Sequence, residues 1–312
     1  MRDANKAVTG RGLTRGGDMP ARVAVLLAAE TPGALPPPQT GPAVAAAVLE
    51  AVDAVDPELA QRLHDAPPPK PYRLTPLLDE NDRPPRRDSR QVRFEVGILV
   101  DTLFARLHHA LTAKQTWRIG QTSYRAAGVD IRALAEYPDL ASAAGPATSW
   151  AFRLATPCAF GTAREEGARR QRVFPEPEWV FTSLANRWRA FAGELRSMGG
   201  EMFDVEAAVV AAERNLEVVE ADLRTAEHLV KPRVPPVRGS VGTVRYALAE
   251  AATVSPDARH ALDTLAEFAS YTGLGDRTTV GMGHAILLPA TRPAGRSSPA
   301  RGSRPQPPAA RR

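Results

Sequence analysis

The stretch "GLGDRTTVGMGH", Gly273 to His284, places four glycines around a short polar run with one arginine and two threonines. Glycine lets a backbone take φ > 0 and approach another group closely. Gly273, Gly275, Gly281 and Gly283 could therefore bring amides to a phosphate. Arg277, Thr278 and Thr279 would add side-chain donors, and His284 closes the run. Two better-known phosphate loops do not fit. A dinucleotide fingerprint needs G-x-G-x-x-G between a strand and a helix, whereas this loop leads from a helical pattern into a strand pattern. A P-loop needs a lysine that is absent here. Two readings stand side by side: a nucleic-acid contact through backbone and side-chain donors, or a helix terminus whose glycines pack a sheet edge.

The elements that must carry this loop are legible as patterns. "ARVAVLLAAE" (21–30) reads as a buried strand. "GPAVAAAVLEAVDAV" follows with helical spacing and Pro42 in its first turn. "DPELAQRLHD" starts a second helix with Asp56 as its cap. "KPYRLTPLL" and "RQVRFEVGILV" alternate as strands, "DTLFARLHHALTA" is helical, and "TWRIGQTSYRAAGVDI" is extended. The second half repeats the order. "TSWAFRLATPCAF" reads as a strand and "PEPEWVFTSLANRWRAFAGEL" as an amphipathic helix, with Trp179 and Trp188 on its core face. Residues 213–230 and "GSVGTVRYALAE" read as strands, "SPDARHALDTLAEFASYTG" as a helix capped by Ser255, and "GMGHAILLP" as a last strand. Two β-α-β-β-α-β units in tandem make an α+β protein of two ferredoxin-like (RRM-like) domains. The expected boundaries are a loose extension over 1–20, one domain over 21–140, a second over 146–288 and a Pro/Arg-rich tail over 289–312.

Composition narrows the function classes. The 312 residues carry a net charge of +5. The tail holds six arginines and no acid, and residues 1–20 add a net two positive charges, so the stretch 21–288 is net negative by three. Overall basicity is thus no argument for nucleic acid, and only local patches count. Three such patches lie in expected loops: Arg83, Arg86, Arg87 and Arg90; Arg164, Arg169, Arg170 and Arg172; and Lys231, Arg233, Arg238 and Arg245. They read as phosphate contacts that set affinity without choosing sequence. Cys158 is the only cysteine, which excludes an intrachain disulfide and a cysteine-based zinc cluster; it reads as a buried small hydrophobe. No run of about 18 apolar residues suggests a membrane span. No signal peptide is read at the N-terminus, and a cytoplasmic protein is the expectation.

The C-terminal pieces "FRLATPCAF", "FPEPEWVFTSLANRWRAF", "GSVGTVRYALAE" and "LAEFASYTGLGDRTTVGMGH", in this order and spacing, resemble the CRISPR-associated endoribonucleases that cut precursor CRISPR RNA within its repeats. That family belongs to the repeat-associated (RAMP) superfamily of tandem ferredoxin-like folds. In the first half, "DPELAQRLHDAPPPKPYRLTPL" resembles the family's Leu-His segment followed by a Lys-Pro strand. The resemblance implies His64 as the catalytic histidine and Lys70 as a catalytic lysine. It also implies Gly273, Gly275, Arg277, Thr278, Thr279, Gly281, Gly283 and His284 as the RNA-binding loop, with Lys231 and Arg233 beside it. A tyrosine found in some members fifteen residues before the histidine is Leu49 here. The implied reaction needs no metal or other cofactor: a ribose 2′-hydroxyl attacks the adjacent phosphorus and leaves a 2′,3′-cyclic phosphate and a 5′-hydroxyl. An imidazole titrating near ~6.5 can move protons at neutral pH, and Lys70 would supply charge. His64 has a bland alternative, a helix-end histidine complementing the dipole. His108 and His109 are rival candidates, one expected to face outward and the other partly inward, while His228 and His260 read as surface residues; His284 has two readings, an RNA contact or a residue that helps pack the last strand. The implied partner is CRISPR repeat RNA, with other CRISPR-associated effector subunits as further potential partners. Leu49 leaves open a non-catalytic RNA-binding or assembly subunit on the same fold.

Overall fold

Alternating apolar and polar residues give the first half its sheet. In Ala21–Ala29 (β1), Val23, Val25 and Leu27 point to one face. They stand opposite Val96, Phe94 and Val92 of Gln91–Ile98 (β3) in an antiparallel ladder. The structure, a computed structural model, describes residues 19–31, 39–86, 89, 91–145, 147–162, 170–192, 204–231 and 233–289. The tail, residues 1–18 and the basic residues Arg87, Arg90, Arg164 and Arg169 lie outside the described residues.

Between β1 and β3 run two helices, Gly41–Asp53 (α1) and Pro57–Asp65 (α2), and a short strand, Tyr72–Leu74 (β2). The expected strand "KPYRLTPLL" shrinks to three residues because Pro71 and Pro76, which lack an N–H, bracket it. After β3 come the helix Asp101–Ala113 (α3) and a hairpin of Thr116–Ile119 (β4) and Thr122–Leu134 (β5). The extended stretch read from sequence is thus two strands, folded back at Gly120, whose φ is 64°. Sheet order is β2-β3-β1-β5-β4, with every neighbour antiparallel. Leaving out β4, this is the ferredoxin-like order. Val44, Val48, Leu103 and Leu107 of α1 and α3 close the core on the inner face.

A short helix, Tyr137–Ala143 (α4), leads into the second half. Ser149–Cys158 (β6) is followed by a small hairpin of Phe160–Thr162 (β7) and Arg170–Arg172 (β8), then Pro177–Phe191 (α5). Val205–Arg214 (α6) precedes Leu216–His228 (β9) and Val237–Leu248 (β10). Glu213 and Arg214, read as strand from sequence, end that alanine-rich helix, whose amides at Glu206 and Ala207 are capped by Asp204. Pro256–Thr272 (α7) is capped by the Ser255 hydroxyl, which accepts from the Ala258 amide at 3.1 Å. Ala285–Leu288 (β11) closes the sheet β11-β6-β10-β9. Trp150, Phe152, Tyr246, Phe181, Trp188 and Phe268 fill its core. The protein is thus α+β, with two ferredoxin-like halves in tandem.

The outer face of the first sheet is charged. Arg93, Glu95 and Gly97 alternate with the core residues of β3, and Arg22 stands opposite Gly97 on β1. This face and β2 meet the C-terminal end of α7, so polar side chains join the two halves here.

Candidate nucleic-acid interface

The helix that carries His64 is built to end where it does. The Asp56 carboxylate accepts from the Leu59 amide at 3.0 Å, which holds that carboxyl below its ordinary range, and Pro57 starts the first turn. Leu59, Ala60 and Leu63 bury one face. His64, one residue on, is exposed, and among the described residues its ring has no hydrogen-bond or ion-pair partner. Lys70 folds back onto the helix end. Its ammonium donates to the Leu63 and His64 carbonyls, both at 2.7 Å, satisfying two acceptors that the helix leaves open. Burial pulls the Lys70 ammonium below its ordinary value, against the opposing Asp65 carboxylate. Two of its three donors are spent in this way, so Lys70 fixes the segment that presents His64.

The glycine loop is held differently. Gly273 ends α7 at φ 71°. A Cβ on Gly275 would lie 2.3 Å from the Ala159 carbonyl, and one on Gly281 2.7 Å from the Cα of Gly41. The loop amides are largely engaged: Leu274 donates to Gly283 O at 2.8 Å, Asp276 to Ala159 O at 2.8 Å, and Gly283 to Pro157 O at 2.9 Å. His284 donates to the Thr156 hydroxyl at 2.8 Å. All four glycines and Thr278 are buried. The glycines therefore serve close packing, and most of their amides are turned inward. What the loop presents to solvent is Arg277, in left-handed backbone at φ 59°, with Asp276 and Thr279 half-buried beside it.

Lys70 and Arg277 line one cleft of about 730 Å³. Its opposite wall is α5, with Trp179, Asn186 and Arg187. Arg187 props the loop: it donates to the Gly275 carbonyl and, at 2.6 Å, to the Ser183 hydroxyl. Burial lowers its guanidinium to about 10, against the attraction of Asp276, so it stays charged at neutral pH. Trp188 is buried in the core, whereas Trp179 is half-buried and carries the Arg172 guanidinium 5.2 Å from its ring centre. Sequence reading placed both tryptophans in the core and did not single out Arg187.

Several expectations need revision. His228 is buried, not on the surface; its Nε2 donates to the Val280 carbonyl at 2.9 Å, and burial depresses its pKa. His284 is 3% exposed and lies on the inner side of the loop. His260 is half-buried. His108 is half-buried against Phe104 and His109 exposed, as read. In the third basic patch, Arg238 and Arg245 pair with Glu227 at 3.1 Å and Glu220 at 3.0 Å on β9, whereas Lys231 and Arg233 are exposed and have no ion pair among the described residues. Leu49, where the resemblance would have a tyrosine, packs against the first core, and burial pushes the Tyr72 phenol up to about 12. Cys158 is buried, with its thiol pushed up to about 12.

Sequence reading missed a buried ionic cluster between the halves. Glu95, 3% exposed, receives Arg73 and Arg22 at 3.2 Å each. Burial works against its charge, but the surrounding arginines outweigh it and lower its pKa. Asp82, also lowered despite burial, faces His284 Nε2 at 3.7 Å, Arg153 at 3.5 Å and Arg93 at 2.5 Å. The available signal was the alternation of Arg93 and Glu95 with apolar residues in β3, a charged sheet face in a protein of two sheets. Among the described residues no three His, Cys, Asp or Glu side chains are grouped to hold a metal ion. No described helix is long and apolar enough to cross a membrane.

Two antiparallel sheets of ferredoxin-like order, joined through a glycine-rich loop, define the class: a tandem ferredoxin-like protein of the repeat-associated kind. The family model for the CRISPR-associated endoribonuclease Cas6 matches residues 152–285. A Cas6 of Thermus thermophilus, solved in a product complex, is similar with a TM-score of 0.70 and 27% identity over 87% of this chain and 100% of that one. A second Cas6 product complex is similar with a TM-score of 0.66 and 25% identity over 86% and 99% of the two chains. A Cas6-related protein of Pyrococcus furiosus, 13% identical over 88% and 100% with a TM-score of 0.58, shares the fold. A comparison with curated proteins finds no match. The family-model match over residues 152–285 and the similarity of the whole chain to these Cas6 structures support a CRISPR-associated, repeat-processing protein of the Cas6 family.

Proposed function

We propose that the protein is an endoribonuclease that cuts precursor CRISPR RNA within its repeats, without metal, by attack of a ribose 2′-hydroxyl on the neighbouring phosphorus. The observation that carries this reading is the shared cleft. Lys70, hydrogen-bonded to the backbone carbonyl of His64, and Arg277, at the tip of the glycine loop, line the same 730 Å³ space from the two halves. RNA laid across that space would meet cations from both sides. The known structures of family members with product or substrate mimic are consistent with RNA as the ligand.

The reaction breaks the P–O5′ bond and forms P–O2′, so the products end in a 2′,3′-cyclic phosphate and a 5′-hydroxyl. One proton leaves O2′ and one arrives on O5′. His64, exposed at a helix terminus and free of other partners, performs one of these transfers. The remaining Lys70 donor and the Arg277 guanidinium offset charge on the equatorial phosphate oxygens. The fixed distance between the two halves supplies the alignment of attack. Lys231 and Arg233, exposed in the turn after β9, extend the contact to flanking phosphates. The buried glycines hold the loop in shape, and its exposed Arg277 and half-buried Thr279 meet the RNA.

A second reading is favoured by one feature. Leu49 and the buried phenol of Tyr72 leave His64 without a neighbouring phenol, which suits an RNA-holding subunit that does not cut. Incubating the protein with its own repeat RNA in excess chelator separates the two. The nuclease reading predicts a single cut with a cyclic phosphate end, and no cut when the ribose before the scissile phosphate is 2′-deoxy. Intact RNA in the first arm supports the holding subunit, and cleavage of the deoxy substrate contradicts the mechanism.

A further inference from the structure

One guanidinium holds both ends of the glycine loop. Arg73 lies three residues after Lys70, on β2, and is 2% exposed. Its Nε donates to the Tyr271 carbonyl at 3.1 Å and its Nη2 to the Ser270 carbonyl at 2.7 Å, both in the last turn of α7 just before Gly273. Its Nη1 faces His284 Nδ1 at 3.4 Å, the residue just after Gly283. Arginine can only donate, so Nδ1 is the acceptor and the neutral ring carries its proton on Nε2, toward Asp82 at 3.7 Å. Nη2 also meets Glu95 Oε2 at 3.2 Å, which balances the buried charge. The partners thus come from both halves and from both sides of the loop.

The surrounding backbone is shaped for this contact. A Cβ on Gly97 would fall 1.9 Å from the Tyr271 carbonyl and 2.6 Å from Arg73 Cγ, so glycine alone lets β3 and the end of α7 converge on the arginine. The pairing of Tyr72, Arg73 and Leu74 with Ile98, Gly97 and Val96 leaves β2 no freedom to slide. A shift of the Arg73 guanidinium is therefore transmitted to Lys70, and through the Lys70 hydrogen bonds to the His64 end of α2.

We infer that Arg73 is a positioning residue that sets the separation and register between the His64–Lys70 segment and the glycine loop. The inference rests on the nuclease reading only for its catalytic consequence; the mechanical one stands by itself. Lysine at position 73 keeps the charge but cannot reach the Ser270, Tyr271, Glu95 and His284 sites with one planar fork. Misplacement of catalytic groups by about 1 Å can cost about 10²-fold in rate.

The test uses the full chain with Glu58→Cys on α2 and Glu213→Cys on α6, both exposed, carrying spin labels. The buried Cys158 thiol escapes labelling. In the Arg73→Lys variant the inter-label distance distribution is expected to shift or broaden. Single-turnover cleavage of the repeat RNA is expected to fall about 10²-fold, while gel-shift affinity changes less than about threefold, because phosphate contacts carry most of the binding. An unchanged distance distribution with an unchanged rate, even with a lower Tm, would overturn the inference. If Arg73→Lys fails to fold, Gly97→Ala keeps the guanidinium while pushing β3 away from the end of α7, and the same two outcomes decide. If the unsubstituted protein does not cut, the nuclease reading fails, and the distance measurement alone still decides the inference.

Discussion

Lys70, which ties the end of α2, and the glycine loop line one cleft, but the helix end and the loop are held in opposite ways. His64 is exposed on a nine-residue helix whose end is tied by Lys70. The glycine loop is buried, its amides donate inward, and its backbone passes within contact distance of Gly41, Ala159 and Leu274. Glycine spacing that looks like a phosphate cradle is here mainly a packing device, because amides already bonded to Ala159, Pro157 and Gly283 are not free to bind an anion. In the proposed reading the chemistry falls to exposed groups at the rim of these segments: the His64 imidazole, without a partner among the described residues, and the Arg277 guanidinium on the cleft. The difference predicts that substitutions in the loop core cost stability, whereas substitutions on the rim cost rate or affinity.

The largest effect on stability is expected at Gly281. Alanine there must keep φ 90° and push against Gly41, so unfolding free energy should fall by about 3 kcal/mol, combining a left-handed-backbone cost with overpacking. Chemical denaturation checks this, and a loss below about 0.5 kcal/mol would break the contrast between the two regions. Next comes pH. His228 and His284 both have folded pKa values depressed by burial. Below the unfolded value near ~6.5, the unfolded chain binds protons that the native loop does not, so stability falls as pH drops through that value. Each group contributes at most about 1.4 kcal/mol per pH unit. Denaturation curves between pH 7.5 and about 5 should show this slope, and His228→Gln should flatten it in part; an unchanged slope in that variant would remove His228's part in it. The smallest effect is expected at Arg277, which is exposed. Arg277→Ala should weaken repeat-RNA binding about fivefold to tenfold and lower the salt dependence by about one phosphate contact, with stability unchanged. A loss of stability without a loss of affinity would move Arg277 from the rim to the scaffold.

Much of the fold was legible because periodicity marks it directly. β1, β3, β6 and β10 alternate or run apolar, and α1, α2 and α7 carry proline or a capping side chain at their starts. The short β2, the β4–β5 hairpin and α6 were not: two prolines, one glycine at φ 64° and an alanine-rich segment each decide a boundary locally without changing hydrophobic pattern. Of the site, the glycines and Arg277 stood out by spacing, and His64 and Lys70 by family resemblance. The roles of Arg73, Arg187 and Glu95 did not, because their partners lie 198, 88 and 73 residues away in the chain. Such contacts leave no local signature beyond a charged residue inside an apolar strand or helix. The buried His228 failed for the same reason: a lone histidine looks alike in sequence whether it is buried against a carbonyl or exposed.

The central claim is that the rim cuts and the loop core only shapes. His64→Ala tests it most directly, with cleavage of the chain's own repeat RNA followed in single turnover at saturating enzyme, alongside gel-shift binding at fixed salt. The account predicts a rate loss of about 10²–10⁴-fold, with affinity nearly unchanged and stability within about 0.5 kcal/mol of the parent. Cleavage at the parental rate would contradict it, and would move the reacting imidazole to His108 or His109 on α3.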